Sequence, residues 1–289
     1  MSFKHTWFLA FAGLLYCNFS LAEIEVEDDS FSRINLELAA QRVISLAPNI
    51  TELIYAAGGE EKLVGVVEGS DYPPEAKDIK TIGAYDKINL EEILELKPDL
   101  IIGWHKGNKK IIIKHLKDLD LKVFLLNPRQ IKAIPKALIK IGKLLGTELK
   151  ARQAVDEFNS RLSKIKLSNF GKIPRVFIQI WHEPLISLNR SDLYSDIITY
   201  CGGVNIFSKK DFVAPTVNPE EVIKKNPDVI ILSTKPKADH PWKSYWENWP
   251  ELKAVQNNNI FFIDPDLTNR ASPRIIDGIK SVCIALGNT

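Results

Sequence analysis

One unit of this chain is written twice. Asn89-Leu90-Glu91-Glu92-Ile93, followed by Pro98-Asp99-Leu100-Ile101-Ile102, returns at identical spacing as Asn218-Pro219-Glu220-Glu221-Val222 and Pro227-Asp228-Val229-Ile230-Ile231. Lys122-Val123-Phe124-Leu125-Leu126-Asn127-Pro128 returns as Asn259-Ile260-Phe261-Phe262-Ile263-Asp264-Pro265. This second echo lies further downstream, as the tryptophan-rich segment holding Trp242, Trp246 and Trp249 requires. A helix followed by Pro-Asp and a strand is a common α/β unit, but two echoes in the same order argue for two related lobes.

Between the copies runs a stretch with neither Pro nor Gly, Glu148 to Ser168. Ala151, Val155, Phe158, Leu162 and Ile165 recur at three- and four-residue steps, which makes one apolar stripe on a helix. The Thr147 hydroxyl can cap its first turn. At about 1.5 Å per residue the helix spans roughly 30 Å. Periodicity alone fits any surface helix; its place between two lobes makes it a strut that holds a cleft at nearly fixed width.

The rest of the chain alternates short apolar strands with helices, the pattern of parallel α/β organisation. RVISLAP (Arg42 to Pro48) reads as a strand, and Asn49 or Thr51 can cap the helix that follows. The expected fold is therefore α/β: two Rossmann-like lobes with central parallel sheets joined by a single long backbone helix. The expected boundaries are a signal peptide at 1–22, an acidic tail at 23–41, an N-terminal lobe at 42–146, the connecting helix at 147–169 and a C-terminal lobe at 170–289.

The first segment carries Lys4 and His5, an apolar run from Trp7 to Tyr16, and small residues at Ser20-Leu21-Ala22, the pattern of a cleavable export signal. The run is short for a membrane span. Cys17 raises lipidation as an alternative, although bulky Tyr16 stands where a lipoprotein signal wants a small residue. Cleavage after Ala22 would leave Glu23 to Asp29 as a solvated tail and a soluble, exported protein. With 289 residues, 45% of them hydrophobic, two modest cores can form. A net charge of +2 with no Lys/Arg block makes nucleic acid an unsuitable partner. Cleavage leaves Cys201 and Cys283, which either pair or stay as buried thiols; an oxidising compartment favours pairing.

Motifs for chemistry are missing. The chain has no G-x-S-x-G elbow, no phosphate-cradling loop and no H-E-x-x-H. Its paired glutamates, Glu91-Glu92 and Glu220-Glu221, sit at helix starts, where the dipole accounts for them. Open parallel sheets bind ligands outside the carboxyl ends of their strands. Tyr72, Tyr85, Trp104, Trp181 and the segment Asp266-Leu267-Thr268-Asn269-Arg270 fall at such ends. Aromatic rings there suit a large, flat, amphipathic ligand better than a bare ion. His105 and His182 follow Trp104 and Trp181; they are either loop histidines or cleft-facing imidazoles, but no set of three or four metal ligands is spelled out.

The stretches ISLAPNITEL, SDYPPEA, NLEEILELKPDLIIGW, YCGGVNIF and DPDLTNRASPR resemble the periplasmic cobalamin-binding proteins of bacterial ABC importers. They belong to the substrate-binding proteins whose two lobes share a backbone helix. The similarity runs from Arg42 to about Leu286. It implies that Tyr85, Trp104 and Asp266 to Arg270 hold a corrinoid, that Cys201 and Cys283 form a disulfide, and that Glu91 and Glu220 dock onto a membrane permease coupled to a cytoplasmic ATPase. It implies a monomer with cobalamin as cargo, no resident cofactor and no catalysis. Gly69 and Ala214 depart from it, standing where relatives carry a tyrosine and a tryptophan, and Trp181-His182 replaces smaller or aliphatic residues. The pocket is thereby reshaped, which leaves an incomplete corrinoid, haem, a siderophore or a metal ion as alternative cargo and sets His182 where it could approach the cobalt of a base-off corrinoid.

Overall fold

The computed structural model describes residues 23–165, 171–237 and 240–287. The signal segment with Cys17 and the end of the expected strut, 166–168, lie outside the described residues. The chain opens with an antiparallel hairpin, β1 (Ile24–Glu27) and β2 (Arg33–Leu36). This corrects the expectation of a solvated acidic tail from Glu23 to Asp29. Val26 and Leu36 are buried, and the acidic residues of the turn are consumed by hydrogen bonds. Asp28 accepts from the amides of Ser30, Ser32 and Leu125, while Asp29 accepts from the Asn127 amide and pairs with Lys140 at 2.7 Å. Carboxylates with such partners belong on a folded edge, not in a solvated tail.

The N-terminal lobe continues through β3 (Val43–Ser45), α1 (Pro48–Ala56), β4 (Leu63–Val66), the small hairpin β5 (Gly83–Ala84) and β6 (Lys87–Ile88), α2 (Leu90–Glu95), β7 (Leu100–Trp104), α3 (Lys110–Asp118), β8 (Val123–Leu126) and α4 (Ala133–Leu145). After α5 (Glu148–Ser163), the second lobe runs through β9 (Arg175–Gln179), α6 (Leu193–Tyr200), β10 (Val204–Asn205), α7 (Pro219–Lys225), β11 (Val229–Ser233), α8 (Pro241–Glu247), α9 (Lys253–Gln256), β12 (Ile260–Ile263), α10 (Pro265–Thr268) and α11 (Ile275–Gly287). Both four-stranded sheets are parallel, in the orders β4-β3-β7-β8 and β10-β9-β11-β12. Each lobe thus places its first strand, its third and its last in the same relation.

The written repeat has a physical reason. Asn89 caps α2 by accepting from the Glu91 and Glu92 amides, and Asn218 caps α7 by accepting from Glu220. The Pro-Asp that follows each helix ties down the first strand of its own lobe. Asp99 accepts from the backbone amides of Gln41 and Arg42, and Asp228 accepts from the amide of Arg175.

The helix α5 ends at Ser163, with Lys164 as its C-cap, shorter than the expected run to Ser168, but it packs as a strut would. Ala151 and Phe158 are buried, and Val155, Leu162 and Ile165 are partly so, against one apolar cluster that includes Ile134 and Leu138 of the first lobe and Ile197 and Ile279 of the second. Arg161 pairs with Asp277 of α11 at 2.8 Å, and the Tyr200 hydroxyl of α6 donates to the Leu162 carbonyl. Two capping expectations are corrected. The Thr147 hydroxyl precedes α5 but makes no cap hydrogen bond. Neither Asn49 nor Thr51 caps α1, which starts at Pro48, where a missing N–H costs nothing; Thr51 instead donates from inside the helix to Ser45 and lies 3.1 Å from Ser70. Cys201, at the end of α6, is disulfide-bonded to Cys283 in α11. No described helix is long and apolar enough to cross a membrane.

Candidate functional site

In the first lobe one buried amide organises the strand ends. The Asn108 carboxamide oxygen accepts from the Trp104 amide at 2.6 Å, and its nitrogen donates to the carbonyls of Leu46 and Tyr85 at 2.9 and 3.2 Å. Asn108 thereby fastens the end of β7, the end of β3 and the β5–β6 turn together. The Trp104 ring lies over Gly107, where any Cβ would collide with the indole. Tyr85 projects from the turn and is 51% exposed. Sequence reasoning identified both aromatics but missed Asn108 as their support, since a loop asparagine has no periodic signature.

The second lobe answers at the end of β9. Trp181 is 58% exposed, and its indole N–H donates to the Glu183 carbonyl. His182 is half-buried, stacked on Trp242 with centroids 6.1 Å apart and edge-on to Tyr245 at 5.0 Å. Beneath it, fully buried Gln179 accepts from Trp246 Nε1 at 2.7 Å and lies 3.2 Å from His182 Nδ1. A cavity of about 640 Å³ opens here, lined by His182, Pro184, Leu185, Thr216, Val217 and Tyr245 among others. The tryptophan-rich insert therefore serves to seat this aromatic group, with Trp246 as its buried anchor.

Where the lobes meet, charges gather. Arg270 Nη1 lies 3.1 Å from Glu52 and 2.6 Å from Asp71, both in the first lobe, while Nη2 meets Asp266 at 3.0 Å. Ser272 donates to Glu52 at 2.5 Å, and Arg274 approaches the same carboxylate at 3.7 Å while stacking over the Tyr72 ring at 4.0 Å. Glu52, on the inner face of α1, is 4% exposed. Burial raises its pKa, against the opposing pull of Ser272, Arg274 and Arg270. For Asp71 burial acts upward too, but the Arg270 guanidinium outweighs it and holds the carboxyl below the usual aspartate range. Glu52 was not singled out from the sequence. Its signal was a lone carboxylate among Ile50, Leu53 and Ile54, the buried apolar residues of α1, a position that demands a partner.

The expected segment from Asp266 to Arg270 is thus divided. Asp266 bridges Lys235 and Arg270. Leu267 is half-buried and Asn269 exposed. Thr268 is fully buried, its hydroxyl 3.4 Å from the Asp264 carbonyl, so its side chain supports α10 and faces no cleft. Arg270 is already committed to three carboxylates. Gly69 has φ +79°, and a Cβ there would meet only Pro48 at 3.6 Å; the space is open but the backbone suits glycine. Ala214 is exposed. His105 donates its backbone amide to Leu126 and joins no ligand set; among the described residues no group of three or more His, Cys, Asp or Glu could hold a metal ion.

Glu91 and Glu220 occupy matching places in the first turns of α2 and α7. Both are exposed. Their neighbours are paired within each lobe, Glu92 with Lys80 at 2.9 Å and Glu221 with Lys210 at 3.0 Å, whereas neither Glu91 nor Glu220 has an ion-pair partner among the described residues.

The periplasmic binding protein family model matches residues 43–267. The chain is 36% identical over 249 residues to the vitamin B12-binding protein of Vibrio cholerae, covering 86% of this chain and 89% of that one. It is 33% identical over 249 residues to its counterpart in Pectobacterium carotovorum, covering 85% and 88%. The crystal structure of the periplasmic vitamin B12 binding protein of Vibrio cholerae superposes with a TM-score of 0.77 over 86% of this chain and 96% of that chain, at 34% identity. A periplasmic haem-binding protein crystallised with two haems shares the fold at a TM-score of 0.77 and 18% identity, covering 86% of this chain and 98% of that chain. With both sheets, the bridging helix and the strand-end aromatics already in evidence, these likenesses settle the family: the chain belongs to the periplasmic binding proteins.

Proposed function

We propose that this chain captures cobalamin or a related corrinoid between its lobes in the periplasm and delivers it, as a monomer, to the permease of an ABC importer, performing no chemistry on it. The observation that carries this reading is the pair Tyr85 and Trp104, held by one buried asparagine in a chain 36% identical to a vitamin B12-binding protein over 86% of its length. A corrin ring is broad and flat with a polar fringe, and exposed aromatic faces at strand ends match it. Trp181 is read as extending that surface from the second lobe, with Asp266 and Asn269 as polar groups and Leu267 as an apolar contact, while Tyr72 stands under Arg274 at the lobe junction. The corrinoid is cargo, and no resident cofactor enters the reading.

Glu91 and Glu220 are read as docking carboxylates. Each is exposed and unpaired beside a glutamate that is already engaged, so its charge is available to basic residues of a permease. The shared core along α5 and the Glu52 clasp favour little movement between lobes, because closure would break packed contacts and a buried ion cluster together. Release would then depend on the permease spreading or blocking the cleft.

Calorimetric titration with cyanocobalamin, cobinamide and haem tests the reading. Binding of at least one corrinoid tighter than about 10 μM, roughly −7 kcal/mol, is expected. Haem binding with neither corrinoid bound would transfer the assignment to haem, and Gly69 and Ala214 are where such a change of cargo would be accommodated.

A further inference from the structure

We infer that His182 offers an N–H donor, not a metal-ligating lone pair, to the cavity at the end of β9, and that the cavity takes an acceptor group of the cargo, a carboxamide or carboxylate arm. The ligand half rests on the corrinoid reading above; the donor half rests on hydrogen-bond logic alone. The Trp246 indole nitrogen can only donate, so the Gln179 atom 2.7 Å away must be the carboxamide oxygen. That fixes the other end of Gln179 as the NH2 group, which also only donates. Its partner at 3.2 Å, His182 Nδ1, must therefore accept. A neutral imidazole that accepts at Nδ1 carries its proton on Nε2.

The chain of donors is buried and rigid. Gln179 and Trp246 are fully buried, and Phe177 packs edge-on against the Trp246 ring at 5.4 Å, so the carboxamide cannot reverse without leaving the indole N–H unpaired. Trp242 and Tyr245 hold the imidazole by its face and edge. Among the described residues no protein group takes up Nε2–H, and His182 lines the cavity of about 640 Å³. To bind a metal through Nε2 the proton would have to move to Nδ1, where it would confront the NH2 group of Gln179. His182 as an axial cobalt ligand is thus disfavoured by its own support, and an acceptor is what the site can use. Leu185, Val217 and Tyr245 line the same cavity and offer apolar surface beside such a bond.

Long-range 1H–15N spectra of the ligand-free protein read the tautomer directly. His182 is identified among the five histidines as the signals lost in His182→Ala. The expected pattern is the Nε2–H form; an Nδ1–H pattern would overturn the inference. Next, cobinamide and haem are titrated into wild type, His182→Ala and His182→Gln. Whichever cargo binds should bind His182→Ala about five- to tenfold more weakly, the effect of one hydrogen bond, and His182→Gln should restore part of the loss. Bound cobinamide should give the same visible spectrum in wild type and His182→Ala. Equal affinities, or a wild-type spectrum carrying an added axial nitrogen, would each overturn the proposal. Failure of both corrinoids to bind wild type would instead sink the functional reading, leave the tautomer to stand on its spectra, and move the affinity comparison to haem, whose carboxylates are the other acceptor.

Discussion

The charge cluster between the lobes predicts how Arg270→Met should behave. The substitution keeps most of the stem's volume and removes the guanidinium that meets Glu52, Asp71 and Asp266. Glu52 stays behind with its side chain 2% exposed, facing Ser272 at 2.5 Å and Arg274 at 3.7 Å. Breaking a buried ion pair from one side costs about 3–5 kcal/mol, and the remaining partners set the low end, about 3 kcal/mol, near neutral pH. For a chain of this size that is on the order of 6–12 °C in Tm. The sign with pH follows from the two carboxylates. Glu52 already sits above its ordinary value because of burial, and losing Arg270 moves it further up. The folded variant then holds that proton more tightly than the unfolded chain, so its stability falls as pH rises above the ordinary glutamate value of 4.5. Asp71 acts in the same sense. Its lowered pKa gives the wild type stability that is present above the ordinary value of 3.8 and lost on acidification, and the variant lacks it. The gap between wild type and variant should therefore widen from the acid end of the range towards neutrality. Urea unfolding followed by circular dichroism across that range measures it. A gap that stays constant, or that is larger at the acid end, would refute the clasp.

Other expectations follow from single features. Cys201→Ser with Cys283→Ser opens a link between residues 82 apart, and the chain-entropy relation gives a loss of about 4–5 kcal/mol, readable as a lower urea midpoint. Gly107→Ala drives a Cβ into the Trp104 ring and should weaken corrinoid affinity by about tenfold while moving stability by about 1–3 kcal/mol, a split that calorimetry and melting separate. Glu91→Ala combined with Glu220→Ala should abolish permease stimulation in a reconstituted transport assay and leave ligand affinity intact; surviving uptake would reduce both to helix-start charges. Trp181→Ala should raise the corrinoid Kd roughly tenfold with a melting point within a few degrees of wild type, because a ring so exposed contributes little to the core.

The lobes, their strands and the strut were legible because the features that encode them are local. Apolar runs of strand length, Asn caps and Pro-Asp junctions act within a few residues, and their duplication announced two equivalent sheets before any contact was known. Tyr85, Trp104 and Trp181 could be picked out for a related reason, since strand ends in parallel sheets have a predictable side. The same local logic erred where a residue's partner lies far along the chain. Asp28 and Asp29 read as a solvated tail until Leu125, Asn127 and Lys140 supplied their hydrogen bonds. Thr268 read as a site residue until the packing of α10 against α11 enclosed it.

The amino-acid order alone thus determined a pair of α/β lobes on a shared helix and the aromatic residues that stand at their strand ends, because periodicity and capping are properties of neighbouring residues. Only the tertiary structure decided that Glu52 reaches across 218 residues of sequence to Arg270, and that Gln179 reaches across 67 to Trp246 and so orients His182. Buried polar groups must find partners wherever the fold brings them, and that pairing is written in space and not in spacing.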